Sequence, residues 1–374
     1  MKKRILYFMP DNPISGKAGN ITRLNQMLSY FNDVRFDVTF VSLRDWGQWT
    51  EKDVLLFQDK FPNIKLELLE KKYKKRFFKY LFLYKIPNLF KQNSIDITSF
   101  ILRKEFGNIA KQSQFDIAVI SYASWAKLGD YFPNTTTKII DTHDFITAQS
   151  RHKKNKIGKL FQDEMNLLRY YNNILTYSVE EEYIFEQFTD KKVTLMPISF
   201  PVKFQNHTQD FKYDVLFVAS DNPHNVKGIQ WFLEYVLPNL ENVKIHVIGK
   251  ICKVIGDYPN VVKHGLVDDL EDYYNHAKIA ICPMLSGTGI KIKVLEALSY
   301  GIPVVTNRRG VDGLINKVDN GCLVADTGLD FANQIKKLLI NDDFYNKTRD
   351  EAVSYFVNNH SPTKEDEILS QIFG

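Results

Sequence analysis

The stretch richest in chemistry runs from Ser286 to Thr306, SGTGIKIKVLEALSYGIPVVT. It lies between two short apolar runs, Ile279–Pro283 and Pro303–Thr306, with helical spacing from about Lys291 to Tyr300 and a closing Gly301. Gly287 and Gly289 leave the backbone bare just before that helix begins. Unpaired N–H groups at a helix start, backed by the positive end of the helix dipole, form a site for a phosphate or diphosphate. Lys291 and Lys293 add two cations in the first turn, where they oppose the dipole, so a bound anion relieves a local conflict. Glu296 stands three positions after Lys293 and can share its face. A carboxylate there accepts bidentate hydrogen bonds from a hydroxyl pair such as a ribose offers; the plainer alternative is a surface Lys–Glu pair.

Two further groups could do chemistry. His143 follows an apolar run in Ile140–Asp144 (IDTHD) and sits between Asp141 and Asp144. That is the carboxyl end of a strand, where open parallel sheets hold their ligands, although a histidine beside carboxylates can equally be a structural hydrogen-bond partner. Between Glu70 and Lys91, the cations Lys71, Lys72, Lys74, Lys75, Arg76, Lys79, Lys85 and Lys91 interleave with Phe77, Phe78, Tyr80, Leu81, Phe82, Leu83 and Tyr84. A segment of this kind suits an anionic membrane or acceptor surface, and the alternative is a solvated helix with its apolar side in the core. The cluster Arg151–Lys156 strengthens the first reading if it shares that face. No Walker A pattern occurs, and no Gly-x-Gly-x-x-Gly follows the first strand, which disfavours P-loop and dinucleotide enzymes. Without an Asp-x-Asp motif or a His/Cys ligand cluster, neither a metal nor another cofactor is expected.

The elements that must position these residues follow from the pattern. With 374 residues, 44% hydrophobic and 25% charged, the chain has the length of two globular domains. Its net charge of +5 is too mild to indicate a nucleic-acid partner. Apolar runs at Ile5–Met9, Val38–Ser42, Ile117–Ser121, Lys138–Asp141 and Ile174–Tyr177 alternate with helical patterns. A second series occurs at Val215–Ala219, Lys244–Ile248, Ile279–Pro283, Pro303–Thr306 and Cys322–Ala325. Near-continuous apolar strands alternating with helices predict an α/β protein with two doubly wound parallel sheets. The expected division is an N-terminal domain over 1–196, a linker over 197–212, a C-terminal domain over 213–356 and a final helix over 357–374. The three cysteines, Cys252, Cys282 and Cys322, fit a reducing compartment. The N-terminal apolar run is too short for a signal peptide and no run is long enough to span a membrane, so a cytoplasmic location is expected, with contact at the inner membrane face left open. The bias to Lys over Arg and the many Asn, Ile, Phe and Tyr suggest a bacterial source with an AT-rich genome.

Taken in order, several stretches resemble one family. GIKIKVLEALSYGIPVV resembles the nucleotide-sugar segment of retaining GT-B-fold glycosyltransferases, in particular glycosyltransferase family 4. Pro10–Leu28 looks like that family's glycine-bearing loop and helix, and Ile140–Asp144 like its His-Asp strand end. Val215–Leu237 resembles the first strand and helix of the donor domain, and His264–Asp269 the strand end that meets the base. The resemblance implies a GT-B fold, two Rossmann-like domains facing across a cleft, with the final helix crossing back to the first.

It also implies roles. Glu296 matches the second glutamate of the family's paired signature and would hold the donor ribose, while the first glutamate's place is taken by Thr288. Gly289, Ile290 and Lys291 would line the donor site, Lys293 would face the diphosphate, and Lys227 would neutralise it as it leaves, with His224 as the one basic residue just upstream. Val267 would contact the base, Gly16 and Gly19 would let their loop approach the diphosphate, Arg23 would line the cleft, and His143 would touch the donor sugar or the acceptor hydroxyl. The expected activity is metal-independent transfer, with retention, from a nucleoside diphosphate sugar to a glycan, lipid-linked if Lys71–Lys91 meets a membrane, as in surface polysaccharide assembly. A GT-B-fold sugar-nucleotide epimerase and a catalytically silent binding module are the alternatives, the second motivated by Thr288.

Overall fold

The computed structural model describes residues 2–15, 19–71, 77–150, 156–204, 210–287 and 289–374. It divides into two compact units, one of residues 1–176 with Glu181–Leu195, the other of Tyr177–Glu180 with Met196–Gly374.

The first unit is built on seven strands: β1 (Lys3–Phe8), β2 (Phe36–Leu43), β3 (Ile64–Leu69), β4 (Ile117–Ser121), β5 (Thr137–Asp141), β6 (Asn173–Thr176) and β7 (Lys192–Leu195). They pair in the order β3-β2-β1-β4-β5-β6-β7, all parallel. Successive strand residues point to opposite faces, so a sheet covered on both sides must be apolar at every position. In β1, Tyr7 packs on Phe40 at 5.5 Å on one face, and Phe8 meets Phe106 at 5.7 Å on the other. The order reverses between β1 and β4, the switch point at which such sheets open a crevice at their carboxyl ends.

The second unit has six strands: β8 (Tyr213–Val218), β9 (Ile245–Ile248), β10 (Val261–Gly265), β11 (Ala277–Cys282), β12 (Val304–Thr306) and β13 (Cys322–Val324). Their order is β10-β9-β8-β11-β12-β13, again all parallel, with the switch point between β8 and β11.

All ten anticipated strands are present. Three more, β3, β7 and β10, escaped the sequence pattern. Each is the edge of its sheet, and each carries lysine or other polar residues (IKLELL, KVTL, VVKHG), because an edge strand is covered less and is often charged. The segment expected as a linker packs closely on the second unit. The Phe200 N–H donates to the His360 carbonyl at 3.2 Å and that of Lys203 to Ser299 at 2.9 Å, while Ile198, Phe200 and Val202 join a core cluster. The final helix, Pro362–Phe373, has the expected Ser361 cap and first-turn proline, and it groups with the second unit, where Ser199 Oγ donates to Glu365. Among the described residues no helix is long and apolar enough to cross a membrane.

Candidate active site

Two clusters carry the candidate residues, one at the switch point of each sheet. In the second unit, helix Pro223–Trp231 leaves the carboxyl end of β8, capped by Asn222 Oδ1, which accepts from the Asn225 N–H at 2.9 Å. It can lie close to the loop after β11 because residue 228 is glycine: a Cβ there would stand 1.7 Å from the Pro283 carbonyl oxygen. Across this approach His224 Nδ1 lies 2.8 Å from Ser286 Oγ, which bridges the two sides of the switch point. Lys227 is exposed on the same helix.

The chain then passes Gly287 and Gly289, with φ of +104° and +69°, values that favour glycine. Helix Ile292–Ser299 follows with Lys291 at its N-cap, where no side chain caps it. The Lys291 ammonium folds back to donate to the Gly289 carbonyl at 2.5 Å, and burial pushes its pKa down. Lys293, also lowered by burial, donates to Asn225 Oδ1 at 2.5 Å and lies 5.3 Å from the centre of the Phe217 ring. Glu296 is likewise mostly buried, which raises its pKa, and it accepts from the Tyr274 hydroxyl at 3.2 Å. The expected alternative, a surface Lys293–Glu296 pair, is therefore not what forms: each has its own partner. Ile290 and Val267 are half-buried and pack against the core below β11 and β8. Thr288 lies outside the described residues.

In the first unit the cluster is acidic and aromatic. His143, two residues past β5, adopts φ +58°, its Nε2 is 3.2 Å from Asp141 Oδ2, and its ring lies on that of Tyr122 with centres 4.5 Å apart. Tyr122, directly after β4, also has positive φ, +64°. A non-glycine residue held in this region costs of order 1 kcal/mol and tends to occur where side chains are aimed for function. The Tyr122 hydroxyl donates to Asp11 Oδ2 at 3.2 Å, and Asn20 Nδ2 reaches both, at 3.1 Å each. Trp46 Nε1 donates to the other Asp11 oxygen at 3.2 Å. Burial raises Asp144, with the nearby His143 pulling the other way, and it pushes Glu181, which accepts from Thr176 Oγ1 at 2.9 Å, up to about 7. Gly19 opens helix Gly19–Phe31 in an exposed position, whereas Arg23 is buried with Nη2 3.0 Å from Met27 Sδ. Gly16 lies outside the described residues.

The basic segment divides. Lys71, expected at the surface, is instead buried: its ammonium lies 4.4 Å from the Trp46 ring centre and 4.9 Å from that of Trp125, a cation–π contact that holds it inward. Lys72, Lys74, Lys75 and Arg76 lie outside the described residues, as does the side chain of Lys79. Sequence reasoning did not single out Asp11, Asn20, Tyr122, Asn225 or Tyr274. The first three stand just after strands or open a helix at a switch point, and that position is the signal that could have found them. Tyr274 gives no such signal.

Two doubly wound parallel sheets in separate units define the GT-B class of fold, and solved structures agree. The chain is similar to Anabaena HepE in complex with UDP and glucose (TM-score 0.68, 12% identical, 98% of each chain covered). It is similar to sucrose-phosphate synthase from Thermosynechococcus elongatus (TM-score 0.68, 10% identical, 100% of this chain and 98% of that one). It also resembles an S. aureus TarM variant in complex with Fondaparinux, alpha-GlcNAc-glycerol and UDP (TM-score 0.65, 13% identical, 100% of both). In sequence, residues 212–341 match the family model described as Glycosyl transferases group 1. A 44.6 kDa protein in the cps region of Klebsiella pneumoniae is 25% identical over 254 residues; the match spans 57% of this chain and 63% of that relative.

Proposed function

We propose that the protein transfers a hexosyl or related sugar from a nucleoside diphosphate sugar to a glycan acceptor, with retention of configuration and without a metal. The observation that carries this reading is the switch point of the second unit. There Gly287, Gly289, the start of helix Ile292–Ser299 and the half-hidden Lys293 converge inside the segment that matches the glycosyltransferase family model. As the glycosidic bond to the diphosphate breaks, negative charge grows on the leaving oxygen. Preset cations and backbone N–H groups stabilise that charge without reorganising, the more so where water is excluded. Lys293 and Lys227 supply the cations, which in other transferases a divalent metal would supply. Lys293 is held by Asn225 until the diphosphate arrives. Glu296, with its charge disfavoured by burial, gains two hydroxyl donors from the ribose and so favours the nucleotide. Val267 contacts the base. In the first unit, His143 contacts the donor sugar or the acceptor hydroxyl.

UDP is the first nucleotide to try, since HepE and the TarM variant were both solved with it. The relative in the cps region favours a polysaccharide acceptor. We propose that this acceptor is lipid-linked and presented at the inner face of the cell membrane. The test is calorimetric titration of UDP, GDP, ADP, dTDP and CMP, without metal, into wild type and Glu296→Gln. One nucleotide should bind selectively, and the substitution should weaken it about tenfold or more, the worth of a charged hydrogen bond. If no nucleotide binds, or if the substitution changes nothing, the reading fails.

A further inference from the structure

Residues Phe77–Leu89 form one helical run, an α turn, a π turn at Leu81–Lys85 and a last α turn. One side is partly covered: Tyr80, Leu81, Leu83 and Tyr84 are half-buried, and Tyr80 stacks on Tyr84 at 5.3 Å. The other side is exposed. Phe78, Phe82, Ile86 and Phe90 are exposed by 74, 57, 37 and 78%, and they recur at every fourth position. In an ideal α-helix every fourth residue advances about 40° around the axis, so four such residues would spiral away from one face. The wider π turn in the middle rotates less per residue and sets part of that drift back, keeping the four side chains together. A stripe of this size on a soluble surface marks something that covers it.

The charge around the stripe indicates what. From Lys72 to Lys91, beyond the buried Lys71, the sequence has seven Lys or Arg and no Asp or Glu. Protein interfaces are depleted of lysine, whereas membrane-surface helices combine Phe and Leu on one side with lysine beside them. At the Phe90 end a cavity of about 620 Å³ is lined by Lys91, Arg103, Lys127 and Lys159 together with Phe90 and Phe100. Its two acids pair with cations of the same lining, Asp96 with Arg103 and Asp163 with Lys159, and four cations against two acids leave the lining net positive. The helix that follows the second basic run in sequence lies in the same region. Helix Ile157–Leu168, which directly follows Arg151–Lys156, is tied to the end of the first run by Ser94 Oγ to Asp163 at 2.6 Å and Lys159 Nζ to the Gln92 carbonyl at 3.3 Å.

We infer that this face docks on an anionic lipid bilayer, with Phe78, Phe82, Ile86 and Phe90 entering the interface and the lysines beside them meeting headgroup phosphates.

Co-sedimentation with vesicles tests it. Wild type should bind phosphatidylcholine vesicles containing phosphatidylglycerol at least about tenfold more tightly than phosphatidylcholine alone, and added salt should weaken that binding. The triple substitution Phe78→Ser, Phe82→Ser and Phe90→Ser should lose about tenfold or more on the anionic vesicles. It should keep its circular dichroism and its nucleotide titration, which separates failure here from failure of the transferase reading. A single exposed change, Lys85→Glu, should weaken anionic binding without touching the stripe. The inference is overturned if wild type ignores anionic vesicles, if it prefers neither lipid, or if the triple variant binds as well as wild type. A self-association that the triple variant abolishes, without vesicle binding, would assign the stripe to a second copy of the chain and also overturn it.

Discussion

At the switch point between β1 and β4 the first unit places Asp11, Asn20, Tyr122 and His143; between β8 and β11 the second places His224, Asn225, Ser286 and Lys293. The topology is the same and the electrostatics are opposite. Around the first, burial raises Asp144 and Glu181, so the carboxyls resist losing their protons. Around the second, burial lowers Lys291 and Lys293, so the ammonium groups give up their protons more readily. A group of hydroxyls suits the first environment and a diphosphate the second. Strand order therefore fixes where a ligand can sit, and the side chains that follow each strand decide which ligand it is.

That contrast can be broken most sharply at Lys293. On the proposed reading, Lys293→Gln should lower turnover about 10²–10³-fold, the usual cost of one preset charge-stabilising donor, measured as nucleotide release in the presence of acceptor. Tyr122→Phe should leave nucleotide affinity unchanged, and an equal loss from both substitutions would show that the two clusters do not divide the work. Next in size is the close approach that builds the second cluster. Gly228→Ala drives a Cβ into the Pro283 carbonyl and should cost about 3 kcal/mol in urea unfolding. Gly289→Ala meets nothing within 4 Å and strains only its φ of +69°, so it should cost about 1 kcal/mol.

A pH-dependent effect belongs to the first cluster. Glu181, at about 7 in the folded protein, is raised above its unfolded value, so its contribution to stability is complete below about pH 4.5 and fades as pH rises through 7. Melting temperature should therefore fall between pH 5 and 8, by an amount equivalent to roughly 2–3 kcal/mol at most. Glu181→Gln should flatten that dependence, and an unchanged slope would remove the carboxyl from the account.

Much of this was legible in the residues because buried parallel strands are written as unbroken apolar runs, and ten of them could be read directly. The glycines before Lys291 were equally plain, since positive φ leaves few other choices. The partners were not legible. That Lys293 would meet Asn225, 68 positions away, or Glu296 meet Tyr274, depends on how two strands and their following helices come side by side. Lys71 shows the opposite error: a lysine in a basic run reads as solvated unless two tryptophans from distant segments, Trp46 and Trp125, can be foreseen around it.

The polar residues that hid β3, β7 and β10 from view have a use in the crowded cell. An open sheet margin offers a row of free backbone donors and acceptors on which a neighbouring chain can crystallise strand by strand into a fibril. Lys65 and Glu67 on β3, Lys192 on β7 and Lys263 on β10 put charge along three of the four margins, where each added strand would have to bury or repel it. What makes these strands hard to recognise as strands is what keeps them from being recognised by other strands.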